Sequence, residues 1–176
     1  LQNDFLPGGS LGVTDGDKVI PVVNKIMPLF PIVIASRDWH PEQSVHFDKW
    51  PVHCVADSFG AEFPEALESD KIQQVFYKGT DNKDDGYSAF EATNQSLDQF
   101  LKDKKVSELY VVGIATDYCV RASALDSLDL DYKTYIITDA VKPVNLKPED
   151  GENALKELES QGGILINSDE LVNKLS

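Results

Sequence analysis

Hydrophobic positions along this chain switch repeatedly between the spacing of buried strands and the spacing of amphipathic helices. Short apolar runs predict strands at residues 32–35, 73–77, 109–115, 133–138 and 163–166. Apolar residues three and four apart predict helices at residues 17–30, 94–101, 119–128, 148–161 and 169–175. This alternation predicts an α/β protein of three layers, α/β/α, in which a mostly parallel sheet has helices on both faces. No linker or repeat interrupts the pattern, so residues 1–176 are expected to form one domain.

The first residues carry no hydrophobic strand, although an α/β chain usually begins with one. Residues 1–5 are followed almost at once by a Pro-Gly-Gly turn at residues 7–9. We therefore expect the first strand of the sheet to precede Leu1, outside this sequence.

The charge of the chain excludes several classes of partner. Its 30 acidic residues outnumber 16 basic ones, and a net charge of −14 disfavours binding to nucleic acids or anionic membrane surfaces. No apolar run reaches the ~20 residues that cross a bilayer. Two cysteines without a secretory leader are typical of free thiols in a cytoplasmic protein. The expected partner is a small molecule, and association into a homo-oligomer stays open.

One of the two thiols stands where the pattern changes from strand to helix. Cys119 follows the apolar run 109–115 and opens the predicted helix 119–128. In the first turn of a helix, free backbone N–H groups and the positive end of the dipole favour a thiolate. The same N–H groups can hold the oxyanion that forms when a thiolate attacks a carbonyl. Most free cysteines are small buried hydrophobes, so this stretch alone favours a structural cysteine over a nucleophile.

All three histidines fall in one predicted loop after the strand 32–35. Asp38 and His40 alternate on one face of the strand end, and the loop can fold His46 and His53 back toward them. Neutral imidazoles with one carboxylate suit Zn²⁺, Fe²⁺ or Mn²⁺. A surface position explains any single histidine, but three of them beside an Asp-x-His pair favour a divalent metal site.

Lys78 follows the strand 73–77 at its carboxyl end, where open α/β sheets place their ligands. Without further context, an ordinary solvated lysine is the preferred interpretation. No glycine-rich phosphate-binding motif follows any predicted strand, which argues against nucleotide binding.

Several stretches together resemble the nicotinamidase/pyrazinamidase branch of the isochorismatase-like cysteine hydrolases. They cover most of the chain in the family's order and lie at residues 1–5, 8–11, 38–41, 50–54, 76–79, 87–90 and 112–120. Each stretch is weak evidence by itself, whereas the set is highly specific. The resemblance implies an isochorismatase-like fold and favours chemical roles for Cys119 and Lys78.

By this resemblance Cys119 is the nucleophile and Lys78 is the lysine of a catalytic triad. The backbone N–H groups of Ala115 and Cys119 would form the oxyanion hole, next to a cis peptide bond between Ile114 and Ala115. The family's triad aspartate directly precedes the residue that matches Leu1, so we expect it outside this sequence. Asp4 matches a different position of the motif.

The resemblance also implies a metal site and an aromatic pocket. The metal ligands would be Asp38, His40 and His53, with His46 as a fourth ligand that only some members have, and zinc is the first choice of metal, with iron or manganese as alternatives. The residues that match positions lining the family's pocket are Phe5, Trp50, Tyr87 and Tyr118.

The implied activity is metal-dependent hydrolysis of nicotinamide, and of related amides such as pyrazinamide, to the acid and ammonia through a thioester on Cys119. One alternative is a metal-independent amidohydrolase of the same fold acting on carbamoyl or ureido compounds, although such an enzyme has no use for the histidine loop. A second is a catalytically inactive relative that binds a pyridine ligand. A thiol redox protein is disfavoured because no Cys-x-x-Cys pair supplies a resolving thiol.

Overall fold

The structure is a computed structural model that describes residues 1–176. The chain forms five strands and five α-helices, which alternate from the second strand onward. The strands are β1 (Ile34–Asp38), β2 (Gln74–Lys78), β3 (Glu108–Ile114), β4 (Lys133–Lys142) and β5 (Ile164–Ile166). The helices are α1 (Val19–Ile26), α2 (Leu97–Asp103), α3 (Arg121–Asp129), α4 (Asp150–Ser160) and α5 (Ser168–Leu175). The predicted order of elements is confirmed, with every strand pair parallel.

The three layers follow from the alternation of side chains along the central strand β4. Ile137 points to the face covered by α1 and α5, where it joins a buried cluster with Val23 and Leu171. Ile136 points to the opposite face, where it packs with Leu158 of α4. Neighbouring residues of one strand therefore belong to two separate cores, and helices cover both faces of the sheet. None of the helices has the length and apolarity needed to cross a membrane.

The hydrogen bonds between strands form two separate ladders, one of two strands and one of three, where one continuous sheet was expected. β1 pairs only with β2, and β3 pairs with β4, which pairs with β5. β1 and β3 each have one edge without a strand partner, and both line a cavity of about 230 Å³. Leu1 and Phe5 also line this cavity, so the start of the described chain lies beside the gap in the sheet.

Several predicted boundaries were wrong by a few residues. The strand predicted at 32–35 is β1, which runs on to Asp38 because its polar end pairs in register with β2. The helix predicted from residue 94 begins at Leu97. Asn94 instead accepts the Tyr77 N–H (2.8 Å) and donates to the Val75 carbonyl (3.0 Å), which ties it to the edge of β2.

The helix predicted to begin at Cys119 also begins differently. A π-helical turn covers Thr116–Val120, and the regular helix α3 starts at Arg121. Cys119 therefore lies inside the wide turn that joins β3 to α3. The helix predicted at 17–30 is α1 extended by short 3₁₀ turns on both sides, Gly16–Lys18 and Met27–Leu29.

Candidate active site

Three strands end at the same place, where the candidate site lies. Asp38 is the last residue of β1 and Lys78 the last of β2, and the two are opposite each other in the parallel register. β3 leads directly into the turn that carries Cys119. The carboxyl ends of parallel strands share one edge of the sheet, so residues 38, 78 and 119 meet there although they are far apart in sequence.

Lys78 lies between Asp38 and Cys119 and bonds to both. Its side chain is only 3% exposed, and its ammonium group donates to the Asp38 carboxylate, to the Gly86 carbonyl (2.9 Å) and to Cys119 Sγ (3.3 Å). These three bonds use all its hydrogens. Burial alone would lower the pKa of Lys78, but the Asp38 carboxylate, together with the hydrogen bond to Cys119 Sγ, outweighs it and raises the pKa. The lysine is therefore a cation at neutral pH, and the alternative of a solvated lysine is wrong.

The thiol of Cys119 is not ionised by its position alone. Burial raises its pKa, while the Lys78 charge and hydrogen bond act in the opposite direction without reversing the shift. The expectation that the helix start by itself yields a thiolate therefore needs correction, because desolvation of the anion exceeds the local stabilisation. A nucleophile at this position needs a base that takes its proton.

The turn around Cys119 also carries the predicted oxyanion residues. The peptide bond between Ile114 and Ala115 is cis, as the resemblance implied. Ala115 and Cys119 line the same small pocket, of about 40 Å³. Both are thus beside the space in which a substrate carbonyl would lie.

The three histidines of the loop are all buried, which excludes the surface interpretation. Each ring has an oxygen beside its Nδ1: the Gly79 carbonyl for His40 (2.9 Å), the Asp84 carboxylate for His46 (3.3 Å) and the Pro51 carbonyl for His53 (2.6 Å). These acceptors assign the proton of each ring to Nδ1. Each Nε2 then keeps a free lone pair, as a metal ligand requires.

The three imidazoles bring their possible ligand atoms close together. Ligand atoms of the three imidazoles lie within 4.8 Å of one another, and the buried His40 Nε2 has no hydrogen-bond partner. Asp38 Oδ2 faces His40 Nε2 at 3.6 Å and His53 Nε2 at 3.8 Å. Three imidazoles with one carboxylate fit a divalent cation, and the orphaned nitrogen would gain a partner from it.

Asp38 contacts both Lys78 and the imidazole cluster, a feature that sequence reasoning missed. One carboxylate oxygen bonds Lys78, and the other faces the imidazoles. Burial tends to raise the pKa of this carboxyl, but the Lys78 cation, with His40 and His53 beside the other oxygen, holds it well below its usual range. The register of β1 and β2 places Asp38 beside Lys78, and no local pattern in the sequence reports it.

The four predicted aromatic residues all line the small pocket. Trp50 meets Tyr118 edge to face, with ring centroids 4.9 Å apart, and its indole N–H donates to the Tyr87 hydroxyl (3.1 Å). Phe5 lies on the other side, next to His53 at 5.6 Å between centroids. The pocket is mostly apolar and flat-sided, which suits an aromatic ring.

Sequence reasoning missed two residues that hold the site in place. Gln2 is buried, and its amide donates to the Asp38 carbonyl (2.8 Å) and accepts the Asp38 N–H (2.8 Å). Asp117 accepts the N–H groups of Val144 (2.9 Å) and Asn145 (2.8 Å), which fixes Val144 against the pocket. The positions of Gln2 and Asp117 inside the matching stretches 1–5 and 112–120 were the available signal.

Comparisons with known proteins agree with this arrangement. The isochorismatase domain matches residues 1–170. A nicotinamidase of Escherichia coli is 38% identical, over 94% of this chain and 90% of its own length. A pyrazinamidase of Pyrococcus horikoshii in complex with zinc is 42% identical, with a TM-score of 0.85 and 94% of both chains covered. A protein of L. infantum in complex with nicotinate is 31% identical, with a TM-score of 0.88, 96% of this chain and 89% of that chain covered.

The fold and the site together define a three-layer α/β protein that gathers a thiol, a lysine and an imidazole cluster at one sheet edge. The chain belongs to the isochorismatase family. The family predicted from the resemblance and the fold class predicted from the alternating pattern are both confirmed.

Proposed function

We propose that this chain is an amidohydrolase that converts nicotinamide, and related heteroaromatic amides such as pyrazinamide, to the acid and ammonia. The observation that carries the proposal is the bond of Lys78 Nζ to Cys119 Sγ at 3.3 Å, formed beside a buried imidazole cluster. The relatives described as nicotinamidases and pyrazinamidase support the choice of substrate. We place the enzyme in the cytoplasm, because both of its thiols are free.

Cys119 is the nucleophile in this proposal, and Lys78 is the cation that stabilises its anion. Because burial raises the thiol pKa, a base is needed, and we assign that role to an aspartate directly before Leu1. The position of Leu1 supports the assignment, because Leu1 lines the same cavity as Lys78 and Cys119. A side chain one residue earlier would therefore be close to the thiol.

The reaction proceeds in two halves. The aspartate accepts the thiol proton while Sγ attacks the amide carbon, and the N–H groups of Ala115 and Cys119 hold the oxyanion. The C–N bond then breaks, the proton passes from the aspartate to the leaving nitrogen, and ammonia departs from a thioester. Water adds to that thioester, releases the carboxylic acid and restores the thiol.

The metal site takes no part in these bond changes. His40, His46, His53 and Asp38 would hold a divalent ion, for which we propose zinc, because imidazoles with a single carboxylate suit it. When bound, the ion supplies a Lewis-acidic position for the ring nitrogen of the substrate. The aromatic side chains of Trp50 and Phe5 flank the ring, and the lysine and thiol stay with the amide.

The test is direct turnover by full-length protein. Incubation with nicotinamide should yield nicotinate and ammonia in equal amounts, measured by chromatography and a coupled ammonia assay. Binding of nicotinamide without product formation would identify the inactive pyridine-binding alternative and contradict the proposed activity.

His53→Ala is expected to impair hydrolysis of nicotinamide far more than hydrolysis of benzamide, which has no ring nitrogen to place. The loss in kcat/KM for nicotinamide should exceed that for benzamide by about tenfold or more, the scale of a disrupted metal site. Enzyme stripped of metal by a chelator provides an independent comparison, and circular dichroism checks the fold of the variant. Equal losses for both substrates would assign the site to a step they share, such as water attack on the thioester.

A further inference from the structure

Two loops contact each other beside the imidazole cluster. We call residues 80–86 the acidic loop and residues 44–50 the histidine turn. Asn82 of the acidic loop accepts the backbone N–H of Val45 at 2.7 Å. Asp84 follows two residues later and contacts the histidine turn at two further points. The acidic loop is therefore fastened along the turn that carries His46.

Asp84 divides its carboxylate between two partners. Oδ1 lies 3.3 Å from His46 Nδ1, and Oδ2 is paired with Lys49. The acceptor oxygen beside Nδ1 assigns the His46 ring proton to that nitrogen, which leaves Nε2 free to bind an ion.

His46 depends on this contact more than its neighbours do. His40 and His53 bond to backbone carbonyls of Gly79 and Pro51, which any sequence would supply at those positions. His46 bonds only to the side chain of one loop residue. Its ring orientation is therefore set by the identity of residue 84.

We propose that Asp84 is a positioning residue that makes His46 a metal ligand, and that binding of a divalent cation fastens the acidic loop onto the histidine turn. The inference rests on the proposed metal site. The two effects are reciprocal: the carboxylate orients the ring for the ion, and a ring held by the ion gives the loop a fixed partner. Hydrogen-bonded carboxylates of this kind alter metal affinity by about 10–100-fold.

The consequence extends to the substrate pocket. Trp50 ends the histidine turn and Tyr87 follows the acidic loop, and the two are joined by the hydrogen bond from the indole to the hydroxyl. Fastening the loops therefore also fixes this side of the aromatic pocket. A surface ion pair such as that of Lys49 with Asp84 contributes little stability by itself, so the effect of Asp84 should appear in metal binding and not in the unfolding temperature.

The experiment compares zinc affinity among variants of the full-length protein, with free zinc set by a competing chromophoric chelator. Asp84→Ala should weaken zinc binding about 10-fold or more, and Asp84→Asn, which keeps an acceptor oxygen, should weaken it less. Asp81→Ala is the matched control, because Asp81 lies in the same loop and pairs only with Lys83, at 3.6 Å. That variant should bind zinc like the native protein, and thermal unfolding should be similar for all.

Trypsin provides a second measurement that reports the loop itself. Lys83 is a cleavage site within the acidic loop, with 67% of its side chain exposed. Zinc should slow cleavage after Lys83 in the native protein and in Asp81→Ala, but not in Asp84→Ala. Comparison of rates with and without zinc within each variant removes any direct effect of the substitution on trypsin.

Native zinc affinity in Asp84→Ala would overturn this inference and leave the proposed function intact. Cleavage rates that do not respond to zinc in the native protein would overturn the coupling to the loop. If the native protein bound no zinc, the inference and the proposed metal site would fail together, and nicotinamide turnover would decide separately whether the thiol chemistry stands.

Discussion

Replacing Cys119 by alanine is expected to abolish nicotinamide hydrolysis without unfolding the protein. The thiol makes one hydrogen bond, accepted from Lys78, so its loss should leave the surrounding turn folded. Without the nucleophile no thioester can form, so turnover should fall by about 10⁴-fold or more. Ammonia release measures the loss, and circular dichroism with thermal unfolding checks the fold.

Cys54→Ala is the matched control for that experiment. Cys54 is the other free thiol, is fully buried, and contacts the Gly60 carbonyl at 3.8 Å instead of Lys78. Burial raises the pKa of Cys54, and its thiol has no hydrogen bond from a cation to stabilise the anion. This variant should keep turnover close to native. Native activity in Cys119→Ala would refute the assignment of the nucleophile.

Lys78→Ala is expected to have the second largest effect, a loss of about 10²–10⁴-fold in kcat/KM. The cation lowers the thiol pKa against the effect of burial, so its removal raises that pKa further. At a given pH, less thiolate is then present. The rate of alkylation of Cys119 by iodoacetamide should consequently rise at a higher pH than in the native protein.

A second variant separates charge from packing. Lys78→Met keeps most of the side-chain volume and removes only the ammonium group, so it should shift the alkylation profile in the same direction. Both variants leave the Asp38 carboxylate buried without its ion pair, and we expect reduced stability in each. An alkylation profile that stayed at the native pH in both variants would show that Lys78 does not govern the thiol.

Hydrophobic spacing predicts the layers of this fold well, because burial on two faces imposes a regular pattern. Ile136 and Ile137 illustrate this, since their opposite cores require the continuous apolar run that identified the strand. Hydrophobic spacing fails to predict strand residues that are polar and buried for chemical reasons. Asp38 and Lys78 are buried strand residues, yet apolar periodicity ended both strands before them.

The members of the site could be predicted, but not their connections. Motif stretches identified the thiol, the lysine and the histidines, because each of these chemical roles requires a particular type of residue. The division of Asp38 between Lys78 and the imidazoles depends on strand register, and the contact of Asp84 with His46 depends on how two loops contact each other. Tertiary geometry of this kind leaves no local pattern in the sequence.

The state of the thiol is a further property that local sequence misjudged. The strand-to-helix turn favours a thiolate. Burial of Cys119 by distant parts of the chain destabilises that thiolate more than the turn stabilises it. Desolvation depends on all the surrounding elements, and the sequence near residue 119 reports only one of them. The structure thus gives a physical reason for the triad aspartate that the resemblance implied.

Mass spectrometry of the acid-quenched reaction tests the central claim most directly. Full-length enzyme mixed with nicotinamide and quenched during turnover should carry a nicotinoyl group on the peptide that contains Cys119, and the adduct should disappear when substrate is exhausted. Addition of hydroxylamine should trap the acyl group as the hydroxamate. Steady production of nicotinate with Cys119 unmodified at every time, and with no hydroxamate formed, would contradict the thioester account.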